Sequence, residues 1–185
     1  QIFQGKQCIG AMDFLIRTPS GEVEHWEMAI KYFLQRTPST DWIDFVGPSH
    51  VDSMHRKLTK MVDRQLKLTQ RPETKIFLEE QNIPIPSITR VLSVGRFFAG
   101  YNQPFLTPVG CDPNQPQGVW IRKMDFQKHF LGTETLWKIR PHPRWIGPYI
   151  STDREELKTV SEVLNAPLEK GRYLMLSQMT KVSLG

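Results

Sequence analysis

Two carboxylates and one ammonium stand close together near the start of the chain: Asp13, Glu27 and Lys31. Glu27 and Lys31 lie in HWEMAIKYF (25–33), whose residues alternate as in a strand. Trp26, Met28, Ile30 and Tyr32 read as its buried face, and Glu27, Ala29, Lys31 and Phe33 fall on the other. Carboxylate oxygens are the ligands that hard cations such as Mg²⁺ or Mn²⁺ take. An ammonium further along the same face can stabilise charge on a bound anion.

A turn decides whether these groups meet. In TPSG (18–21), Pro19 fixes the φ of a first turn position and Gly21 can take the left-handed conformation. That combination predicts a three-residue hairpin loop with a bulge, flanked by Thr18 and Glu22. Extending the register places Asp13 opposite Glu27, with Cβ atoms roughly 4.5–5.5 Å apart. Like charges at that separation repel unless Lys31 or a divalent cation neutralises them. Asp13 also shares a strand face with Ile9, Ala11 and Leu15, so it is expected to be covered, and a covered acid needs a partner. The competing reading is a solvated hairpin whose carboxylates titrate normally and bind no metal.

The surrounding elements must hold this hairpin. CIGAMDFLIR (8–17) reads as one strand, with Cys8 a buried thiol, and EVEHWEMAIKYFL (22–34) as a longer one. RTPSTDWIDFVGPSH (36–50) is loop-like. VDSMHRKLTKMVDRQLKLTQ (51–70) has helical spacing up to Pro72, with Met54, Leu58, Met61 and Leu68 in one apolar stripe. Gln65 falls near the centre of that stripe, and an amide there needs hydrogen-bond partners. Lys57 edges the stripe, and with Arg56, Lys60, Arg64 and Lys67 it can make a phosphate-contacting surface or a solvated helix face. A short helix is expected over 75–82 and a third strand over 87–101. Segment 119–131 begins as strand and turns helical, and 135–150 is strand-like but interrupted by prolines. A helix over 151–165 has a capping box at Thr152 and Glu155, and a last strand covers 171–179. The order gives an α/β or α+β domain with a mixed sheet.

Composition adds boundaries. The 185 residues are 39% hydrophobic and 23% charged, as in a soluble globular domain. No apolar run approaches the roughly 18 residues of a membrane helix. Cys8 and Cys111 lack the spacing of a metal site or disulfide framework, which fits a reducing cytoplasm. The net charge of +5 tilts weakly toward a polyanionic partner. His25 falls on the Glu27 face and reads as structural; RPHPRW (140–145) mixes Arg, His and Trp as nucleic-acid surfaces do, but its prolines favour a rigid loop. No glycine-rich phosphate loop, HExxH or serine nucleophile elbow is present.

An acid in a strand, a hairpin, a strand carrying an acid and a lysine, then a helix: this order resembles the PD-(D/E)XK nuclease superfamily. GAMDFLIRTPSGEVEHWEMAIKYFL, GPSHVDSMHRKL and RQLKL resemble more closely an uncharacterised bacterial family of unknown function within it. The resemblance spans roughly residues 5–70. It implies a restriction endonuclease-like αβββαβ core with a mixed central sheet in a single domain (1–185), with 102–185 an extension of it. The superfamily's first helix is expected before Gln1, the chain being read as a fragment. It implies a Mg²⁺ (or Mn²⁺)-dependent nuclease that hydrolyses DNA phosphodiesters. Asp13 and Glu27 would hold the metal, Lys31 would act on the water or the developing charge, and Gln65 would reach the site. Lys57, Lys60 and Arg64 would meet nucleic acid. The motif wants an acid two residues before the lysine, where this chain has Ala29. Either Glu27 has taken over that role, or the fold is catalytically degenerate and serves as a nucleic-acid-binding or protein-interaction module.

Overall fold

The computed structural model describes residues 1–140, 157–168 and 173–179. Its centre is a mixed sheet built around two long strands. Strand β1 (Ile2–Gln4) and β2 (Gln7–Gly10) form a separate antiparallel pair. Then β3 (Phe14–Arg17) pairs antiparallel with β4 (Val23–Gln35), and β4 pairs parallel with β6 (Ile88–Gly100) along most of its length. Strand β7 (Gln117–Trp120) extends the sheet beyond β6, in parallel. The two-residue β5 (Phe45–Val46) pairs with the far end of β4. Because β6 occupies one edge of β4 throughout, β3 and β5 share the other edge and leave a notch between Trp26 and Leu34.

The expected hairpin forms. Phe14 faces Trp26 and Leu15 faces His25, the register expected from the turn. Thr18 N–H donates to Glu22 O (2.9 Å), Gly21 N–H donates to Thr18 O (2.9 Å), and Gly21 has φ +88°. The single strand expected over 8–17 does not. It breaks after Gly10, where a Cβ would lie 3.0 Å from Leu68 Cδ2, so β2 turns away against the helix rather than continuing in the main sheet. Cys8 is exposed on this outer pair, not buried.

The chain between β5 and β6 is helical but changes pitch. It runs as α1 (Met54–Lys60), a wide π-type turn over Met61–Gln65 and a tight 3₁₀ turn over Leu66–Gln70. Ser53 caps α1 by accepting the Arg56 N–H (3.2 Å). Pro72 opens α2 (Pro72–Glu80), the position where a missing N–H costs nothing. Met54, Met61 and Leu68 are buried, as the stripe predicted, and Met54 joins Phe33, Phe45 and Phe97 in the main core.

The remaining elements are α3 (Lys123–Phe130), β8 (Leu136–Ile139), α4 (Val160–Asn165) and β9 (Leu176–Met179). They enclose a second core of Phe126, Trp137, Val160 and Val163. The helix observed here carries its capping box at Thr159 and Glu162, while the expected box at Thr152 and Glu155 lies outside the described residues. So does RPHPRW beyond Arg140. Within the described residues, no helix is long and apolar enough to cross a membrane.

Candidate functional site

Glu27 is the centre of the site, and it is fully buried. The sequence reading put Trp26, Met28, Ile30 and Tyr32 inside, but Met28 and Ile30 are 37% and 47% exposed. The face holding His25, Glu27 and Ala29 is the covered one. The helical stretch after β5 supplies its own apolar stripe there, and so covers polar residues of the sheet.

Three donors satisfy the Glu27 carboxylate. His25 Nε2 donates to Oε1 (2.8 Å) and the Asp13 backbone N–H donates to the same oxygen (3.3 Å). Gln65 Nε2 donates to Oε2 (2.5 Å), from the last residue of the π-type turn. Such turns are frequent at functional sites. His25 is also fully buried, and its Nδ1 has no hydrogen-bond partner among the described residues. A ring with a proton on Nε2 fits the contact with the carboxylate. Gln65 Oε1 is likewise buried without a partner among those residues.

Asp13 meets Glu27 differently from the expectation. It is exposed, not covered, and lies just outside β3. Its Oδ2 accepts the Met28 N–H (3.0 Å) while its own N–H reaches the Glu27 carboxylate. Side chains thus take over from the backbone ladder where β3 ends. Asp13 also lines a shallow pocket with Phe14, Met28 and Ile30, on the open face of the sheet.

Lys31 points to a residue that sequence reasoning missed. Its Nζ lies 2.6 Å from Asp52 Oδ2, with the two side chains 35% and 29% exposed. Arg56 Nη2 stands 3.8 Å from the other oxygen of Asp52. Burial pushes the Asp52 carboxyl up, but the Lys31 hydrogen bond and charge, the Ser53 N–H and Arg56 together hold it below its ordinary value. No local pattern links Asp52 to Lys31 across the intervening loop. His25 did leave a signal, two residues from Glu27 on the same strand face.

The structure therefore brings Asp13, His25, Glu27 and Gln65 together and sets Lys31 with Asp52 further along the strand. Among the described residues, no group of three or more His, Cys, Asp and Glu stands together as a ready metal cage. The oxygen donors at hand are the Asp13 and Glu27 carboxylates and the buried Gln65 Oε1. Of these, Asp13 reaches Glu27 through its backbone N–H, while its carboxylate accepts the Met28 N–H. Oxygen donors of this kind are those by which Mg²⁺, where bound, is commonly held. Lys60 and Arg64 are exposed on the helix, Lys57 half-buried, and Lys67 pairs with Asp63 (3.2 Å).

The family model described as "Domain of unknown function (DUF1853)" matches residues 1–183. No curated protein and no solved structure matches the chain.

Proposed function

Since the chain belongs to the DUF1853 family, whose description names no activity, the site must carry the reading, and we propose a divalent-metal-dependent nuclease that hydrolyses DNA phosphodiester bonds on a restriction endonuclease-like core. The observation that supports this most is the Gln65 amide on a fully buried Glu27, across 38 residues of sequence. Among the described residues no lysine or arginine pairs with Glu27, and a buried carboxylate so placed is costly unless it is well bonded. This chain builds it from three elements at the foot of a notch in the sheet, beside an exposed acid and a lysine.

In this reading Asp13 and Glu27 would hold Mg²⁺ or Mn²⁺, with Gln65 Oε1, buried without a partner among the described residues, as a further oxygen. The bound ion would supply an acidified water and neutralise phosphate charge. His25 and the Asp13 N–H keep Glu27 oriented. Lys31 places an ammonium along the same strand face to meet the anionic phosphate. Lys60 and Arg64, with Lys57, contact the DNA backbone from the helix.

The second reading is a catalytically silent member of the same fold that binds nucleic acid or protein. Ala29 in place of the motif acid favours it, as does a Glu27 whose two oxygens already accept protein donors. Calorimetric titration with Mn²⁺, followed by cleavage of supercoiled plasmid, separates the two. The nuclease reading expects saturable binding and nicking by the wild type, both lost in Asp13→Ala. Plasmid retention without metal binding or nicking would leave the silent reading standing.

A further inference from the structure

The backbone and the ammonium of Lys31 each meet a specific contact. On the strand side, the register sets it opposite Gly95, where a Cβ would fall 1.7 Å from the Lys31 carbonyl oxygen. Gly95 also has φ +151°. Only glycine lets β6 approach β4 so closely here. On the loop side, Asp52 is itself fixed. Its Oδ1 accepts the Ser53 N–H (3.0 Å) and its carbonyl accepts the Gly47 N–H (2.9 Å). Val46 and Ser53 form a bridge that closes this loop, and His50 turns it with φ 57°. Ser53 then starts α1, so Asp52 stands between a closed loop and a capped helix.

Stability alone does not account for this construction. A pair exposed by about a third is worth at most about 1 kcal/mol, against the rotamer freedom that a lysine loses. What the arrangement does achieve is to fix an ammonium along the strand from a buried carboxylate.

We infer that Asp52 is a positioning residue for Lys31, holding its ammonium where the scissile phosphate must sit. The inference rests on the nuclease reading. Asp52 does not touch the substrate. It restricts the Lys31 side chain to one rotamer and leaves the remaining ammonium protons free for the anion. Misplacement by about 1 Å is enough to cost up to about 100-fold in rate.

Two measurements test this on the full chain. The first is plasmid nicking with saturating Mn²⁺ by wild type, Asp52→Asn and Asp52→Glu. Asp52→Asn should lower kcat between about 10- and 100-fold with KM within about twofold, since substrate contacts elsewhere are intact. Asp52→Glu should recover part of the loss, and Mn²⁺ affinity should stay within about twofold of wild type in both. The second is reductive methylation of lysines followed by mass spectrometry. Lys31 should label several-fold more slowly than exposed Lys60, and Asp52→Asn should remove the difference. A wild type that does not nick overturns the nuclease reading and this inference with it. A wild type that nicks with an unchanged Asp52→Asn kcat overturns the inference alone. A rise in kcat would make the contact a restraint on Lys31 rather than support, and also overturns it. Equal labelling of Lys31 in both proteins would show that the contact is not kept in solution.

Discussion

The two faces of β4 reverse the usual allotment of residues. One is covered and carries His25, Glu27 and Ala29, while the other carries Met28 and Ile30 and stands open. On the open side, Phe14, Ile16 and Leu92 are also more than a third exposed. Even there, polar groups organise one end: Arg90 makes two hydrogen bonds to Glu24 (2.9 and 3.0 Å), and Trp26 Nε1 donates to the same carboxylate (2.6 Å). Towards Tyr32 and Phe98 the open face becomes a core with Trp120, Tyr173 and Met175. The comparison teaches that burial on this strand follows what packs on it, not the hydropathy of its residues. A polar face can be the inner one when each buried group finds a donor, and an apolar face can be left outside.

The sharpest way to break the comparison is to remove its central acid. Glu27→Ala leaves the His25, Gln65 and Asp13 donors facing a cavity. We expect a loss of about 3 kcal/mol in urea unfolding, because buried donors stripped of a charged acceptor cost the most. Glu27→Gln should lose less, about 2 kcal/mol, since one of its two positions becomes a donor facing a donor. A loss under about 0.5 kcal/mol for either would mean that Glu27 is solvated and that the covered face is not covered.

Adjacent residues then give a direct contrast. Ala29→Lys forces an ammonium into the covered face and should lower stability by about 3 kcal/mol or more. Ile30→Lys, one residue on, should change it by less than about 1 kcal/mol, because the side chain enters solvent. Thermal melts of the two variants decide the matter. Equal losses would show that something covers the open face in solution.

How much of this was legible beforehand follows from the range of each interaction. The hairpin register rests on Pro19 and Gly21, which act over four residues, and it came out as expected. Gln65 on the apolar stripe is a helical-period signal, and an unpaired amide had to find a partner; the structure supplies Glu27. Of the β4 face expected inside, Tyr32 is buried but Met28 and Ile30 stand open, because hydropathy does not show which face the helix will choose. The break after Gly10 depends on contact with Leu68, and the Lys31–Asp52 pair on a loop closing over 21 residues. Neither leaves a periodic trace. The same holds for exposed Asp13, whose side chain substitutes for a ladder bond that period-two reasoning assumed would continue.

The smallest expected effect concerns acid, and it compares carboxylates on the two faces. Glu24, buried at the hairpin end of the opposite face, is held below its ordinary value chiefly by the Arg90 hydrogen bond and then by Trp26. Asp52, near the covered side, is also held low, with burial opposing Lys31 and the Ser53 N–H. A depressed carboxyl contributes stability that is fully present above its unfolded pKa and is lost as pH falls through the folded one. For Asp52 that loss begins as pH drops below its ordinary value of 3.8. Partial exposure of the pair limits the Asp52 contribution to at most about 1 kcal/mol. Asp52→Asn should therefore flatten the stability–pH curve only below about pH 4, and leave neutral-pH stability lower by that small amount. Lys31→Met should flatten it in the same window, because the two changes remove one interaction. If instead Asp52→Asn and Lys31→Met act additively, the ammonium and the carboxylate do not hold each other, and the covered face ends at Glu27.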